Sequence, residues 1–539
     1  MRASVRFPCL GDTDNMRVGQ LLLTLFLAGT IIGSSARAAD YQRNEILNWG
    51  EGAADTLDPH TTRSTTDVTA KINLYDTLYR YEGLDVVPSI ATGHTVSDDG
   101  LTWTFTLRKG VKFHSGNELT ADDVVYSFRR LIGMKQAPAA PFWPILKSEN
   151  ISAPDASTVR MVLDRPYAPF LAAIPLVGIV DKKLVESHAS GNDWAATWVA
   201  ANDAGSGPYR AEPDGFRPSQ VSKLTWFPDY FLPFPAHPIK QVNITTIKEA
   251  TTLALALLKG EVDATDTRIA AESVNRIRKG ENVKVSADES MRTFVLTMNN
   301  ARPPFNNIHF RKAISYAFDY DGFINKLREG TVVRNPGPIP QNLWGNPKDL
   351  VPYKYDVAKA KAELELARKD GVDFSRPLTV YGFTNTRDTY LSMQLLQSNL
   401  RALGLKVEIK DTFFPNLASM AANQQTAPDM WFHWVSAFFI DPSNWIGEMY
   451  DSQFHGTWKG SAFYKNDKVD ALLRQAIVSN DKEKRRALYE EASRLIVADA
   501  PALWIYNAIE YRGLNKRVEG YKFSPVGSGA DFRLMSLSQ

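Results

Sequence analysis

The stretch that most constrains this chain runs from Val96 to Phe128. Leu101, Trp103, Phe105 and Leu107 alternate with Thr102, Thr104 and Thr106, the period-two pattern of a half-buried strand. A turn at Lys109-Gly110 leads to a second short strand expected around Val111 to Phe113. Thr120 then precedes Asp123 at capping-box spacing, and Val124, Val125, Phe128 and Leu131 follow at helical intervals. Strands feeding directly into an amphipathic helix exclude both all-α and all-β architectures.

The same mixture recurs downstream. Ser157 to Leu163 alternates as a strand, and Thr251 to Lys259 reads as a helix stopped by Gly260. Phe310 to Leu327 repeats apolar residues every three or four positions as one helix and stops at Gly330. Asp356 is placed to cap a helix running through Ala360, Leu364 and Ala367. Tyr390 to Leu403 ends at Gly404, after which Leu405, Val407 and Ile409 alternate, and Lys482 to Ala500 is a long helix closed by Pro501. The order lacks the strict alternation of a parallel barrel, so the expected class is α/β with mixed sheets flanked by helices.

The first 38 residues are read separately. Arg17 opens a short basic region, Leu21 to Ile32 is an apolar run, and Ala36-Arg37-Ala38 offers a small-x-small cleavage pattern. Together these predict a secretory leader over residues 1–38, cut after Ala38, with Met16 an alternative start to Met1. The apolar run is shorter than the ~20 residues that span a bilayer. Cys9, the sole cysteine, falls inside the leader, so the mature chain carries neither disulfide nor thiolate nor lipid-anchor cysteine. An exported chain without an anchor implies the periplasm. The leader's four basic and two acidic residues, taken from totals of 62 and 60, leave 58 of each sign. A neutral chain is a poor candidate for binding nucleic acid or an anionic membrane. The remaining 501 residues exceed what one core organises, so two or three domains are expected.

Catalytic signatures are sparse. The eight histidines are scattered, with no pair at i,i+3 or i,i+4 spacing, and there is no GxSxG, GxGxxG or GxxxxGK[ST]. Asp98-Asp99 precedes Gly100 and suits a turn; Asp122-Asp123 sits in a helix first turn, where negative charge is favoured. A binding protein is therefore expected rather than an enzyme, with a periplasmic hydrolase using dispersed carboxylates as the competing class and a chaperone or sensor partner as a third. No cofactor and no metal site is expected.

Val96-Ser-Asp-Asp-Gly-Leu-Thr-Trp-Thr-Phe-Thr-Leu-Arg-Lys-Gly-Val-Lys-Phe-His-Ser-Gly116, continued by Leu119-Thr-Ala-Asp-Asp-Val-Val-Tyr-Ser-Phe128, resembles the signature of the family-5 extracellular solute-binding proteins. Further landmarks follow in order: Leu57-Asp58-Pro59, Gly205-Ser-Gly-Pro-Tyr209, Lys259-Gly-Glu-Val-Asp263, Phe310 to Asp319, Tyr355-Asp356 and Asp499-Ala-Pro501. The resemblance covers nearly all of the mature chain. That family contains oligopeptide-, dipeptide- and nickel-binding subunits of ABC importers. The resemblance implies a two-lobed periplasmic-binding-protein fold with an extra inserted domain. Lobe 1 would comprise residues 39–80, 206–296 and 506–539, with residues 81–205 as the inserted small domain, and residues 297–505 would form lobe 2. It also implies partners: two membrane permease subunits with cytoplasmic ATPases, serving a monomer that closes around its ligand.

The implied site centres on Trp431 to Pro442. In the peptide binders the matching segment runs from a tryptophan to an aspartate that holds the ligand's α-amino group. Trp434 matches the tryptophan, and the aspartate position falls on Ala437, or on Ser436 or Phe438 under a shifted alignment. None is acidic, and an ammonium buried without a carboxylate is costly. This moves the expected solute from ordinary peptides towards N-blocked peptides, opines, oligosaccharides or sugar conjugates. Asp441, followed by Pro442, reads as a helix cap, and Trp445 is placed equally well in pocket or core. The loop Thr384-Asn385-Thr386-Arg387 follows a strand expected over Leu378 to Phe383, where ligands bind in open α/β sheets. Asn385 and Thr386 could hydrogen-bond a ligand, and Arg387 could meet a carboxylate or phosphate. Ala53, in the turn after the first strand, and Tyr506, in the returning C-terminal segment, complete the candidate set.

Overall fold

A computed structural model describes residues 41–539 except 62–64, 268, 270, 385, 528 and 539. The expected leader, with Cys9, Met16 and the cleavage point after Ala38, lies outside the described residues, as does Asn385. Thr102–Leu107 is a strand in an antiparallel sheet ordered Ala91–Val96, Thr102–Leu107, Thr158–Leu163, Leu146–Asp155. Its inward residues Trp103, Phe105 and Leu107 pack with Phe128 and Leu131 of the helix Ala121–Met134. The Thr120 amide and hydroxyl both donate to Asp123 Oδ2, at 2.8 and 3.0 Å, which fixes where that helix begins. The short strand expected at Val111–Phe113 does not form; only an isolated bridge joins Lys112 to Glu118. Val111 and Phe113 are buried in the same core, and their backbones bond to Leu119 and Asn117 over too short a stretch to extend into a strand.

A second sheet is ordered Ile46–Gly50, Gln241–Thr245, Val221–Trp226, Tyr209–Arg217, with the first pair parallel. Its core gathers Leu47, Trp49, Leu74, Tyr209, Val242 and Ile244 with Leu514 and Phe532 from the C-terminal end of the chain. Here the Gly205-Ser-Gly-Pro-Tyr209 landmark has a steric cause. A Cβ on Gly205 would lie 1.9 Å from the Leu74 carbonyl oxygen, and one on Gly207 would lie 2.4 Å from that of Asn73.

The largest sheet is ordered Val332–Arg334, Ala502–Asn515, Val283–Met298, Met430–Val435, Leu378–Phe383, Val407–Thr412. Phe294, Leu296, Phe432 and Val380 bury one face of it against the helices Ile308–Ala317, Val357–Lys369 and Arg387–Arg401. Another core, with Trp445, Tyr450, Tyr489 and Trp504, includes helix Lys482–Asp499. The single helix expected over Phe310 to Leu327 is two segments. Phe318 adopts extended backbone, and Asp319 then caps a new start by accepting from the Gly322 amide at 2.8 Å. Phe318, Tyr320 and Phe323 all reach the same core, so the apolar period survives the break.

Val283–Met298 and Ala502–Asn515 carry the chain between these cores. They pair from Val283/Asn515 to Thr297/Ala502, with register breaks between Glu289 and Thr293 and between Phe294 and Val295. Such breaks bend and twist a ribbon locally. Arg512 fastens one end: buried, it donates to Glu51 at 2.9 Å and to the Thr265 carbonyl at 2.7 Å, over the Trp49 ring. No helix among the described residues is long and apolar enough to cross a membrane.

Candidate functional site

Strand Met430–Val435 divides its side chains between two faces. Trp431 and His433 stack on one, and the His433 ring takes a 2.8 Å hydrogen bond with the Thr297 hydroxyl. Burial pushes the His433 imidazole down to about 3, so it is neutral. Trp434 lies on the other face, its ring 4.7 Å from that of Phe294. Its indole N–H donates to Tyr506 Oη at 3.1 Å, and Tyr506 donates in turn to Asp388 Oδ2 at 2.5 Å. Arg328 closes the chain by pairing with Asp388. Burial raises the Tyr506 phenol well above its ordinary range, with the Asp388 charge adding to the effect.

This chain of contacts forms one wall of a cavity of about 300 Å³. Its lining includes Thr386, Arg387, Trp434 and Tyr506, four of the residues expected from the sequence, with Arg292, Arg328, Asp388 and Glu510. The Arg292 guanidinium lies 4.7 Å over the Trp434 ring and 3.9 Å from Glu510. Arg387 is exposed and makes no ion pair among the described residues. It is the first residue of helix Arg387–Arg401, with Thr386 at the N-cap, rather than part of the expected loop. The positive end of a helix and an uncommitted guanidinium thus meet on one cavity wall, an arrangement suited to a carboxylate.

Ala437 and Phe438 line a different cavity, of about 150 Å³, opposite Pro59, Val68, Tyr75, Tyr81 and Leu176. No carboxylate is among its lining residues; Lys71 is. Burial lowers the pKa of Lys71 against the pull of Asp67, 3.4 Å away. A second buried ammonium, Lys459, lies 4.6 Å from the Phe438 ring centre and pairs with Glu448. It also donates to the Asn444 carbonyl at 3.2 Å.

Two candidates lie on neither wall. Ala53 is in the core around Trp49, its amide donating to Thr246 Oγ1 at 2.8 Å. Ser436 is half-buried, and its carbonyl accepts from Asn444 Nδ2 at 3.0 Å. Asp441 caps Pro442–Asn444 by accepting from the Ser443 amide, and it forms a buried pair with Arg485 at 2.7 Å. Trp445 is fully buried in the neighbouring core. Sequence reasoning missed Arg292, Arg328, Asp388 and Lys459. Of these, only Arg292, a charge entering the apolar run Thr293 to Met298, left a local signal.

Residues 85–495 match the profile of the bacterial extracellular solute-binding proteins, family 5 (Middle). The chain is similar to the probable D,D-dipeptide-binding periplasmic protein DdpA of Escherichia coli, 31% identical over 488 residues, covering 88% of this chain and 91% of that protein. It is 28% identical to di/tripeptide-binding protein 2 of Pseudomonas aeruginosa, covering 96% and 98%. Its fold superposes on the ABC transporter-associated periplasmic binding protein DppA of Helicobacter pylori, solved with the peptide STSA. The TM-score is 0.75 at 26% identity, covering 92% of this chain and 98% of that one. The mixed sheets, the ordered landmarks and these matches agree: the chain belongs to the family-5 bacterial extracellular solute-binding proteins.

Proposed function

We propose that this chain is the periplasmic capture subunit of an ABC importer, taking up a peptide-like solute that bears a carboxylate. The observation that carries the reading is the 300 Å³ cavity in which Arg387, Arg292, Trp434 and Tyr506 converge. Arg387 would hold the carboxylate, and the Trp434 face would cover an apolar side chain or ring. The cores of residues 39–80 with 206–296 and 506–539, and of residues 297–505, act as two lobes in this reading, with 81–205 inserted. They close about the paired strands Val283–Met298 and Ala502–Asn515. Closure is driven by contacts made only when ligand is present. The names of the E. coli and P. aeruginosa relatives and the peptide in the H. pylori complex support this class of solute. In this role the chain binds without turnover and presents its closed form, as a monomer, to permease subunits linked to ATPases.

The surroundings of Ala437 favour a refinement. The segment offers no carboxylate there, and the ammonium of Lys459 lies against the adjacent Phe438 ring. A free α-amino group at that point meets no partner, so N-blocked peptides, opines or sugar conjugates fit this wall better. Calorimetry with matched free and N-acetylated di- to tetrapeptides tests the reading. Trp434→Ala should weaken binding by more than about 1 kcal/mol while unfolding stays cooperative. Arg387→Gln should do the same for a peptide carboxylate and spare its amide. Unchanged affinity in both variants places the ligand elsewhere.

A further inference from the structure

Asp76 lies in the connection between helix Thr65–Leu74 and strand Tyr79–Glu82, and it is buried with 6% exposure. Oδ1 accepts from Tyr230 Oη at 2.7 Å, and Oδ2 accepts from Ser206 Oγ at 3.1 Å. Both donors are neutral hydroxyls, and Asp76 makes no ion pair among the described residues. A carboxylate has about four acceptor positions, so two remain open. Asp76 lines a cavity of about 510 Å³ together with Arg80, Glu82, Tyr230, Asp531 and Arg533. Four of the other charges there are paired with one another. Arg80 pairs with Glu82 at 2.5 Å and donates to the Pro88 carbonyl, and Arg533 pairs with Asp531 at 3.4 Å. Lys522, also on the lining, is exposed and makes no ion pair among the described residues. The nearby His114 is engaged by Asp203 at 2.9 Å.

This cavity adjoins the one beneath Ala437 and Phe438. Ile72, Tyr75, Thr77, Tyr81, Pro175 and Ser524 line both. Only these residues lie between a solute lodged against Phe438 and the cavity that holds the Asp76 carboxylate. A buried carboxylate without a cation is unfavourable and is relieved by a proton or by a positive group. Burial raises the Asp76 carboxyl to about 7, in keeping with a group that lacks a permanent partner. No group of three or more metal-ligating side chains exists among the described residues, which points away from an inorganic ion.

We infer that Asp76 is the anchor for an organic ammonium carried by the captured solute, held in the cavity between the Tyr75–Glu82 segment and the C-terminal segment Lys522–Leu534. The inference rests on the cleft being a solute-capture site. It adds that the solute's cationic end lies about one cavity away from Ala437.

The test is calorimetry at pH 8 with matched probes, N-acetyl-Ala-Ala-Lys against N-acetyl-Ala-Ala-norleucine. In wild-type protein the probe bearing the ammonium should bind about tenfold or more tighter than its neutral match, the factor a charge-assisted hydrogen bond supplies. Asp76→Asn should bring the pair to within about twofold and leave the neutral probe unchanged. The same preference in both proteins, or equal weakening of both probes by Asp76→Asn, overturns the proposal and leaves solute capture standing. No binding by any probe overturns the peptide reading and the proposal with it. Should Asp76→Asn not fold, the Asp76 carboxyl-carbon resonance of wild-type protein gives a second readout. Its titration midpoint should fall on saturation with the ammonium probe and stay in place with the neutral one. An equal midpoint in both complexes overturns the proposal.

Discussion

His60 is fully buried, and its Nδ1 accepts from Arg130 at 2.9 Å while Nε2 donates to the Gly178 carbonyl at 2.8 Å. Arg130 is held in turn by Asp58 at 2.6 Å. Burial, reinforced by the Arg130 charge, pushes the imidazole down to about 3. An unfolded histidine titrates near 6.5. Between those values the unfolded chain binds a proton that the fold refuses, so this contribution to stability is complete above about pH 6.5 and is lost as pH falls towards 3. The slope is about 1.4 kcal/mol per pH unit. His60→Gln keeps an acceptor for Arg130 and a donor for Gly178 without the proton. Urea unfolding from pH 7 to pH 4.5 should show the variant losing less stability than wild type; parallel losses would mean His60 titrates normally in the fold. Asp76, raised to about 7, works in the opposite direction, removing stability as pH rises from its unfolded value through 7. None of this is visible in sequence, where His60 is one scattered histidine among eight. The main cavity is legible only in part. Arg387, Trp434 and Tyr506 were placed by a strand end and a resemblance. Asp388 reads as an ordinary first-turn acid because its partners, Arg328 and Tyr506, lie 60 and 118 residues away.

At the scale of elements, local chemistry was legible wherever a terminus carried its own signal. Gly260 and Gly404 both take positive φ after the helices they were expected to stop, and Asp356 accepts from the Lys359 amide at 2.9 Å as a cap should. The helix break at Phe318 was missed because apolar spacing continues across it, and Asp319 looks like any mid-helix acid until its cap is seen. Val111 to Phe113 differs for another reason: its pairing with the 117–119 stretch stops at a single bridge, a length that alternation alone does not reveal. Asp123 shows what one such signal contributes. It accepts from Thr120 and, at 3.0 Å, from the Lys182 amide, so it starts one helix and tethers the approach to another. Asp123→Ala leaves both amides without their acceptor and should cost about 1–2 kcal/mol in urea unfolding, with the slope unchanged. A loss below about 0.3 kcal/mol would remove the cap from the account.

For the whole molecule, the strands Val283–Met298 and Ala502–Asn515 run between separate cores, and each cavity is lined from more than one core: Ile269 and Tyr506 belong to different cores at the first, Tyr75 and Ala437 at the second. Thr267 and Ile269 meet Trp434 across one cavity, and Pro59 and Tyr75 meet Phe438 across the other. A ligand bridging such walls stabilises the protein only by binding the folded form, by about 2.7 kcal/mol at 100 times its dissociation constant. The central claim is solute capture, and the most direct test is thermal denaturation of the purified protein against free peptides, N-acetylated peptides, opines and oligosaccharides. The account predicts a raised melting temperature with at least one carboxylate-bearing peptide-like compound, lost in Arg387→Gln. A melting temperature unmoved by every compound in that panel would contradict it.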